Sequence, residues 1–420
     1  MSKNKKDSFH KKENDNIDIL IIGGGMVGLS LAYQISKRYK DLKIHILDKE
    51  KQLGLHNSGR NSGVLHAGIY YKPDSLRAKV CVDGAKRLRK WCMSEDINVL
   101  NCGKLIVTQN KNQSNELDLL FKRAKRNGAY VKLIGKEEVE KHSPFIYTAT
   151  EKSIWSPNTC VVDPKLVLKR LEERVKKMGV KIICGTKILQ VNTVKNTISY
   201  AQKNGVTIFC EYGHLFNCCG VNSDYIARKF ELGERYKILP FKGIYWKLKS
   251  NNKYSFKTNI YPIPDLNLPF LGVHITPDLN GDIFLGPTAI PALGKENYYG
   301  FDGIEPFLAA NFLSELTIQF FKNKGGFRQY AYDQALHGIK PFFLRAAKKI
   351  IPSLKNEDLI KSKKVGIRAQ LFDIKKRELI DDFKLIKDKN STHVLNAISP
   401  AFTASFALAD LIINESKVLD

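Results

Sequence analysis

Gly23, Gly25 and Gly28 stand in the spacing GxGxxG, and Asp48 follows twenty residues after the last of them. Glycines spaced this way let backbone turn tightly and approach a pyrophosphate, and an acid at that distance bonds the hydroxyls of an adenosine ribose. Directly behind Asp48 runs the segment 49–71, KEKQLGLHNSGRNSGVLHAGIYY, rich in glycine and hydroxyl residues with little regular periodicity. In it Ser58 and Ser62 can donate to phosphate or to the edge of a ring system, and Arg60 can neutralise an anion. His66 can give or take a proton at a reacting group. His56, in the same loop, reads as a histidine that bonds loop backbone. A third histidine, His274, lies in GVHITP, where strand alternation puts it with Thr276 on the face opposite Val273 and Ile275. If the apolar face covers the core, His274 faces a cavity.

The elements that must position these groups are legible around them. The run 18–22, DILII, is apolar and β-branched, as a parallel strand buried on both faces requires. A helix over 26–38 follows, with Val27, Leu31 and Ile35 on one face and its positive end toward the phosphates. A strand over 43–47 leads to Asp48. The complete β-α-β unit marks a dinucleotide site without separating FAD from NAD. Downstream, the pattern gives a helix at 75–91, a strand at 103–108, a helix at 116–127 and a short helix at 134–142. Asp163-Pro164 opens a helix to about Met178, with a strand at 180–183 behind it. Two strands at 188–194 and 206–211 precede the run 214–220, HLFNCCG, and Pro277 to Gly281 reads as a hairpin turn. The span 305–351 is helical and aromatic, and no chemistry is assigned to it.

Composition bounds the class. At 420 residues, 43% hydrophobic and 10% aromatic, the chain can bury the core of a soluble globular enzyme of one large or two interlocked domains. No apolar stretch is long enough to span a membrane, and the charged residues 1–15 read as a disordered tail, neither signal peptide nor anchor. The eight cysteines show no metal-ligand spacing, so no metal is expected and reduced thiols are the default. Cys218 and Cys219, adjacent on a predicted strand, read as small buried residues. The net charge of +26 is spread along the chain without clustering of arginine and aromatic residues, so no nucleic-acid partner is expected.

The block from Ser58 to Tyr71, continuing through KPDSLRAKVCVDG, resembles the signature of the L-2-hydroxyglutarate oxidase/dehydrogenase family, which belongs to the D-amino-acid-oxidase-like FAD enzymes. The likeness recurs in PFLGVHITP with LGP behind it, in GIRAQ at 366–370, and in HVLNAISP at 393–400, which leads into a helix from about Thr403. It implies an α/β fold: a Rossmann-like FAD-binding domain, discontinuous in sequence, with an inserted mixed-sheet substrate domain. The expected boundaries are 16–100, 150–235 and 355–420 for the FAD-binding part, and 101–149 and 236–354 for the substrate-covering part.

The implied reaction is oxidation of L-2-hydroxyglutarate, a 2-hydroxy dicarboxylate, to 2-oxoglutarate by hydride transfer to flavin N5. A related enzyme acting on an amino acid or glycerol 3-phosphate is the alternative. The cofactor residues implied are Gly23, Gly25, Met26, Val27, Gly28, Asp48, Lys49, Ser58, Asn61, Ser62, Gly63 and Gly220, with Ser399, Ala401, Phe402 and Thr403 at the C-terminal turn. Relatives use an arginine on the strand of Arg368 for substrate anions, which makes Arg368 the first carboxylate clamp, with Arg60 and Lys242 behind it. Lys242 stands in PFKG where the family pattern has PFRG, and an ammonium lacks the bidentate fork of a guanidinium. His66 and His274 both remain candidates for the base. Oxygen or a membrane quinone is the implied acceptor, for a cytoplasmic protein with peripheral attachment to the inner face of the membrane left open.

Overall fold

The computed structural model describes residues 10–12, 16–250, 252–264, 272–323 and 327–418. The glycine unit folds as its sequence dictates. Strand Ile17–Ile22 runs into helix Met26–Arg38 and strand Ile44–Asp48. The two strands pair in parallel, Ile19 beside Ile44 and Ile22 beside Leu47. Burial on both faces explains the unbroken apolar run. Ile19 and Ile21 pack toward the helix, whereas Leu20 and Ile22 belong to a separate core on the other side of the sheet. Each such side chain contributes roughly 1.5–3 kcal/mol on leaving water.

Strand Thr207–Asn217 organises the rest of this first sheet. Its early half pairs antiparallel with Thr197–Ala201, and its late half runs parallel both to Ile17–Ile22 and to Ser391–Asn396. The strand order is Lys187–Asn192, Thr197–Ala201, Thr207–Asn217, Ile17–Ile22, Ile44–Asp48, Lys181–Cys184. Helices Pro164–Lys177 and Ser405–Ser416 cover the face that the first helix covers.

Several expectations need correction. The sequence reading missed Thr197–Ala201, a short strand lying between two polar turns. It also divided Thr207–Asn217 at Gly213, which lies inside one continuous strand; Cys218 and Cys219 follow the strand's end. Part of the expected tail, His10–Lys12, pairs in parallel with Thr207–Phe209, while 1–9 and 13–15 lie outside the described residues. The span 134–142 begins as the end of an edge strand, Lys132–Gly135, before helix Lys136–His142.

The second sheet is the larger. Its order is Glu378–Leu379, Leu359–Asp373, Tyr236–Leu248, Ile283–Gly286, His274–Pro277, Asn259–Pro262, Lys104–Val107, Lys152–Ser156, Lys132–Gly135. Leu359–Asp373 was expected in the nucleotide-binding part, yet it pairs along nearly its whole length with Tyr236–Leu248. The same sheet takes Lys152–Ser156, so both outer boundaries of the expected FAD-binding segments move. The hairpin around Pro277 forms as expected, with His274 opposite Gly286. Residues 269–271, the first part of PFLGVHITP, lie outside the described residues.

Candidate active site

The glycine turn admits no side chains. Gly23 holds φ at +102°, and a Cβ on Gly28 would stand 2.0 Å from the carbonyl oxygen of Gly23. The helix behind it starts at Gly25, and Gly25, Met26 and Val27 at its positive end line the cavity. Ser58 is tied to this end: its Oγ accepts from Met26 N at 2.9 Å, which leaves the hydroxyl proton to donate outward. Asp48 accepts from Gly24 N at 2.8 Å and Glu50 N at 2.9 Å; burial pushes its carboxyl above the usual range. Each carboxylate oxygen keeps a lone pair for a hydroxyl.

Other expected cofactor residues also brace the loop: Asn61 and Ser62 line the cavity while bonding within the loop, and Lys49 ties it to Glu296. Asn61 donates to Ser58 O at 2.6 Å and accepts from Gly63 N at 2.8 Å. Ser62 Oγ stands 3.5 Å from Val64 N. Lys49 pairs with Glu50 at 2.5 Å and with Glu296. His56 bridges Tyr298 at 2.8 Å and Glu50 at 2.9 Å, and so builds the loop wall. Gly220, Ser399, Ala401, Phe402 and Thr403 do line the same cavity. Thr403 also braces the loop that carries His66: its Oγ1 accepts from His66 N at 3.1 Å and donates to Val64 O at 3.2 Å.

This cavity, about 1070 Å³, runs from the glycine turn to the face of the large sheet, where His66, His274 and Arg368 line it together. Strand order puts them there. Arg368 stands opposite Phe241 in register, and His274 follows two strands over. His274 donates Nδ1–H to Gly272 O at 2.9 Å, because a carbonyl can only accept; its Nε2 is therefore the bare nitrogen. Burial lowers its pKa to about 3, with Lys104 and Arg368 adding repulsion, so the ring stays neutral at ordinary pH. His66 is likewise held well below the usual histidine range by burial, then by Lys104, His274 and Arg77.

Two further candidates do not join this group. Phe241 and Gly243 line the cavity, so alternation turns Lys242 to the other face, where Nζ donates to Asn297 at 2.8 Å. Arg60 forms part of the cavity wall, but Nε donates to Leu55 O at 2.6 Å and the guanidinium covers the Tyr298 ring at 4.2 Å. Neither geometry offers a free fork to a substrate carboxylate.

The sequence reading missed several residues of the site. Tyr70, Tyr71, Arg77, Tyr245 and Tyr261 all line the cavity. Arg77 covers the Tyr71 ring at 4.4 Å and donates to Asp381 O, and its buried Nε has no hydrogen-bond partner. Behind the histidines stands Lys104, 1% exposed, with Nζ 3.3 Å from His66 Nδ1. Its signal in the sequence was a lone charge opening the otherwise apolar strand KLIV, where a buried strand calls for a fourth apolar side chain.

Known proteins match this chain over nearly its whole length. A family model described as FAD dependent oxidoreductase matches residues 18–415. The L-2-hydroxyglutarate dehydrogenase of Indibacter alkaliphilus is 35% identical, covering 94% of this chain and 98% of the relative. The mitochondrial L-2-hydroxyglutarate dehydrogenase of Homo sapiens is 34% identical, with 95% and 88% covered. Among solved structures, the FAD-bound, dithionite-reduced L-α-glycerophosphate oxidase of Mycoplasma pneumoniae shares the fold at a TM-score of 0.74 and 21% identity, covering 96% of this chain and 95% of that one. Glycine oxidase of Geobacillus kaustophilus follows at 0.68 and 14%, with 95% and 94% covered.

Proposed function

The chain belongs to the family of FAD-dependent oxidoreductases, and we propose that its reaction is the oxidation of L-2-hydroxyglutarate to 2-oxoglutarate. What carries this reading is the meeting of Arg368, Arg77, His66 and His274 on one cavity that begins at a dinucleotide turn. The residues at that turn fit FAD. Gly28 leaves no room for a side chain, the helix N-terminus that lines the cavity is positive, and Asp48 is an acid with lone pairs left for a ribose. Bound there, FAD supplies the acceptor for the hydride that leaves the substrate's C–H carbon.

The chain's own residues do the rest. Arg368 takes a substrate carboxylate with its planar fork, and Arg77 supplies a second cation for the second carboxylate. His66 takes the hydroxyl proton as base, and the neutral His274 lines the cavity with a bare Nε2 that is the alternative acceptor for that one proton. Thr403 keeps the His66 backbone in position. A panel of L- and D-2-hydroxyglutarate, glycerol 3-phosphate and amino acids with an artificial acceptor tests the substrate. Turnover confined to the L-hydroxy acid supports the reading, and turnover of an amine or phosphate substrate instead contradicts it.

Electrons pass on to oxygen or to a quinone of a membrane chain. Helix Pro306–Lys322 favours a membrane-side acceptor: Phe307 and Phe321 on it are 89% and 73% exposed. Helix Lys340–Lys348 farther along adds Arg345 and Lys348, charges that suit anionic headgroups. Among the described residues no helix is long and apolar enough to cross a membrane. A cytoplasmic protein docked through Phe307 and Phe321 on the inner leaflet would sediment with anionic vesicles and lose that property when both become serine.

A further inference from the structure

Lys104 is almost fully buried, and none of the ion pairs among the described residues includes it. Nζ lies 3.3 Å from His66 Nδ1, 4.1 Å from the Tyr261 ring centroid and 5.3 Å from that of Tyr70. A buried ammonium without an acid is costly unless it sheds its proton. An ammonium here can only donate, which leaves His66 Nδ1 bare and puts the ring proton on Nε2, the wrong place for a base. A neutral amine reverses this, because its lone pair accepts from Nδ1–H and leaves Nε2 bare.

We propose that Lys104 is a positioning residue for the oxidation: as a neutral amine it accepts the Nδ1 proton of His66, so that Nε2 meets the substrate hydroxyl as a base. The inference rests on His66 being the base in the reaction given above. The balance is complete with the cofactor as oxidant. The hydroxyl proton goes to His66 Nε2, the Nδ1 proton passes to Lys104, the hydride leaves for FAD, and the C–O single bond becomes a carbonyl.

The surroundings leave the switch to Lys104. Burial lowers its pKa to about 7. Facing the pair, His274 is neutral with its pKa at about 3, and the Cys81 thiol is pushed up to about 12. Burial raises Cys102, Tyr70 and Tyr261, which stay neutral, and the guanidinium groups of Arg77 and Arg368 line the same cavity. Lysine in its amine form is the active species, so kcat/KM rises with pH through about 7 and then levels.

The test uses FAD-loaded wild type, Lys104→Gln and Lys104→Arg. A glutamine oxygen accepts from Nδ1–H without titrating, so Lys104→Gln is expected to lose about tenfold and to show no rise near pH 7. A guanidinium always donates, so Lys104→Arg is expected to lose about 10³-fold. A purely structural cation would give the opposite order, with arginine the better replacement. The second readout needs no turnover: ¹⁵N NMR of histidine-labelled holoenzyme, with His66 assigned through a His66→Gln variant. Its proton is expected to move from Nε2 to Nδ1 as pH rises through about 7, and to stay on Nε2 in Lys104→Arg. A tautomer that ignores pH in wild type, or a Lys104→Arg enzyme with wild-type rate and profile, overturns the proposal. If L-2-hydroxyglutarate proves not to be the substrate, the tautomer measurement still decides the role of Lys104.

Discussion

His274 lies flat against Tyr261, ring centroids 3.9 Å apart and planes 14° from parallel, while its Nδ1–H is fixed on Gly272 O. The stacking and the hydrogen bond together determine where Nε2 points. They make the ring a rigid acceptor, and its pKa of about 3 keeps it one throughout the working range. His274→Gln is therefore expected to cut kcat/KM by about 10–10²-fold while leaving the shape of the pH profile unchanged. Steady-state rates from pH 5 to 9 check both parts. A profile that loses its rise near pH 7 in this variant would move the base from His66 to His274.

Two of the three cations expected to clamp carboxylate should separate cleanly. Arg368 lines the cavity, and Lys242 is turned away onto Asn297. Arg368→Lys loses the bidentate fork and is expected to raise KM about 10²-fold with flavin content unchanged. Lys242→Ala is expected to stay within about threefold of wild type, because only a bond to Asn297 is lost. Initial-rate kinetics on both variants decide it.

Gly28 is a test of the nucleotide end alone. A Cβ there would stand 2.0 Å from Gly23 O, which the turn cannot relieve by moving a side chain. Gly28→Ala is expected to abolish FAD retention, read as the ratio of absorbance at about 450 nm to that at 280 nm after gel filtration. Retention of a full flavin complement would mean that the cofactor does not depend on this turn.

Burial of the site also sets a pH signature on stability. Lys104, with a pKa of about 7 when folded, binds fewer protons than the unfolded chain between there and the ordinary lysine value of about 10.4. Stability gained from this group therefore rises with pH across that window, at up to about 1.4 kcal/mol per unit. His274, at about 3, acts on the acid side: the unfolded chain binds more protons as pH falls from about 6.5, and stability is lost. Urea melts of wild type and Lys104→Met are expected to converge as pH rises from 7 to 10, with Lys104→Met the more stable at pH 7.

The sequence disclosed the nucleotide end almost entirely because its determinants are local. Glycines, an apolar strand, a helix and an acid all fall within about thirty residues, and the structure places them together. The substrate end was legible only in part. His66, His274 and Arg368 do meet, but nothing local indicates that Lys104 reaches His66 across 38 residues, or that Tyr261 stacks beneath His274. Lys242 went astray because its facing depends on the register of Tyr236–Leu248 against Leu359–Asp373, a pairing more than a hundred residues apart. The same long-range pairing moved Leu359–Asp373 out of the expected nucleotide-binding segment.

Anaerobic addition of L-2-hydroxyglutarate to the FAD-loaded protein, with the D-enantiomer as control, tests the central claim most directly. Flavin absorbance near 450 nm, roughly where oxidised flavins absorb, is followed after mixing. Bleaching by the L-form alone is the expected result. Protein that holds FAD yet stays fully oxidised with both enantiomers would contradict the substrate assignment.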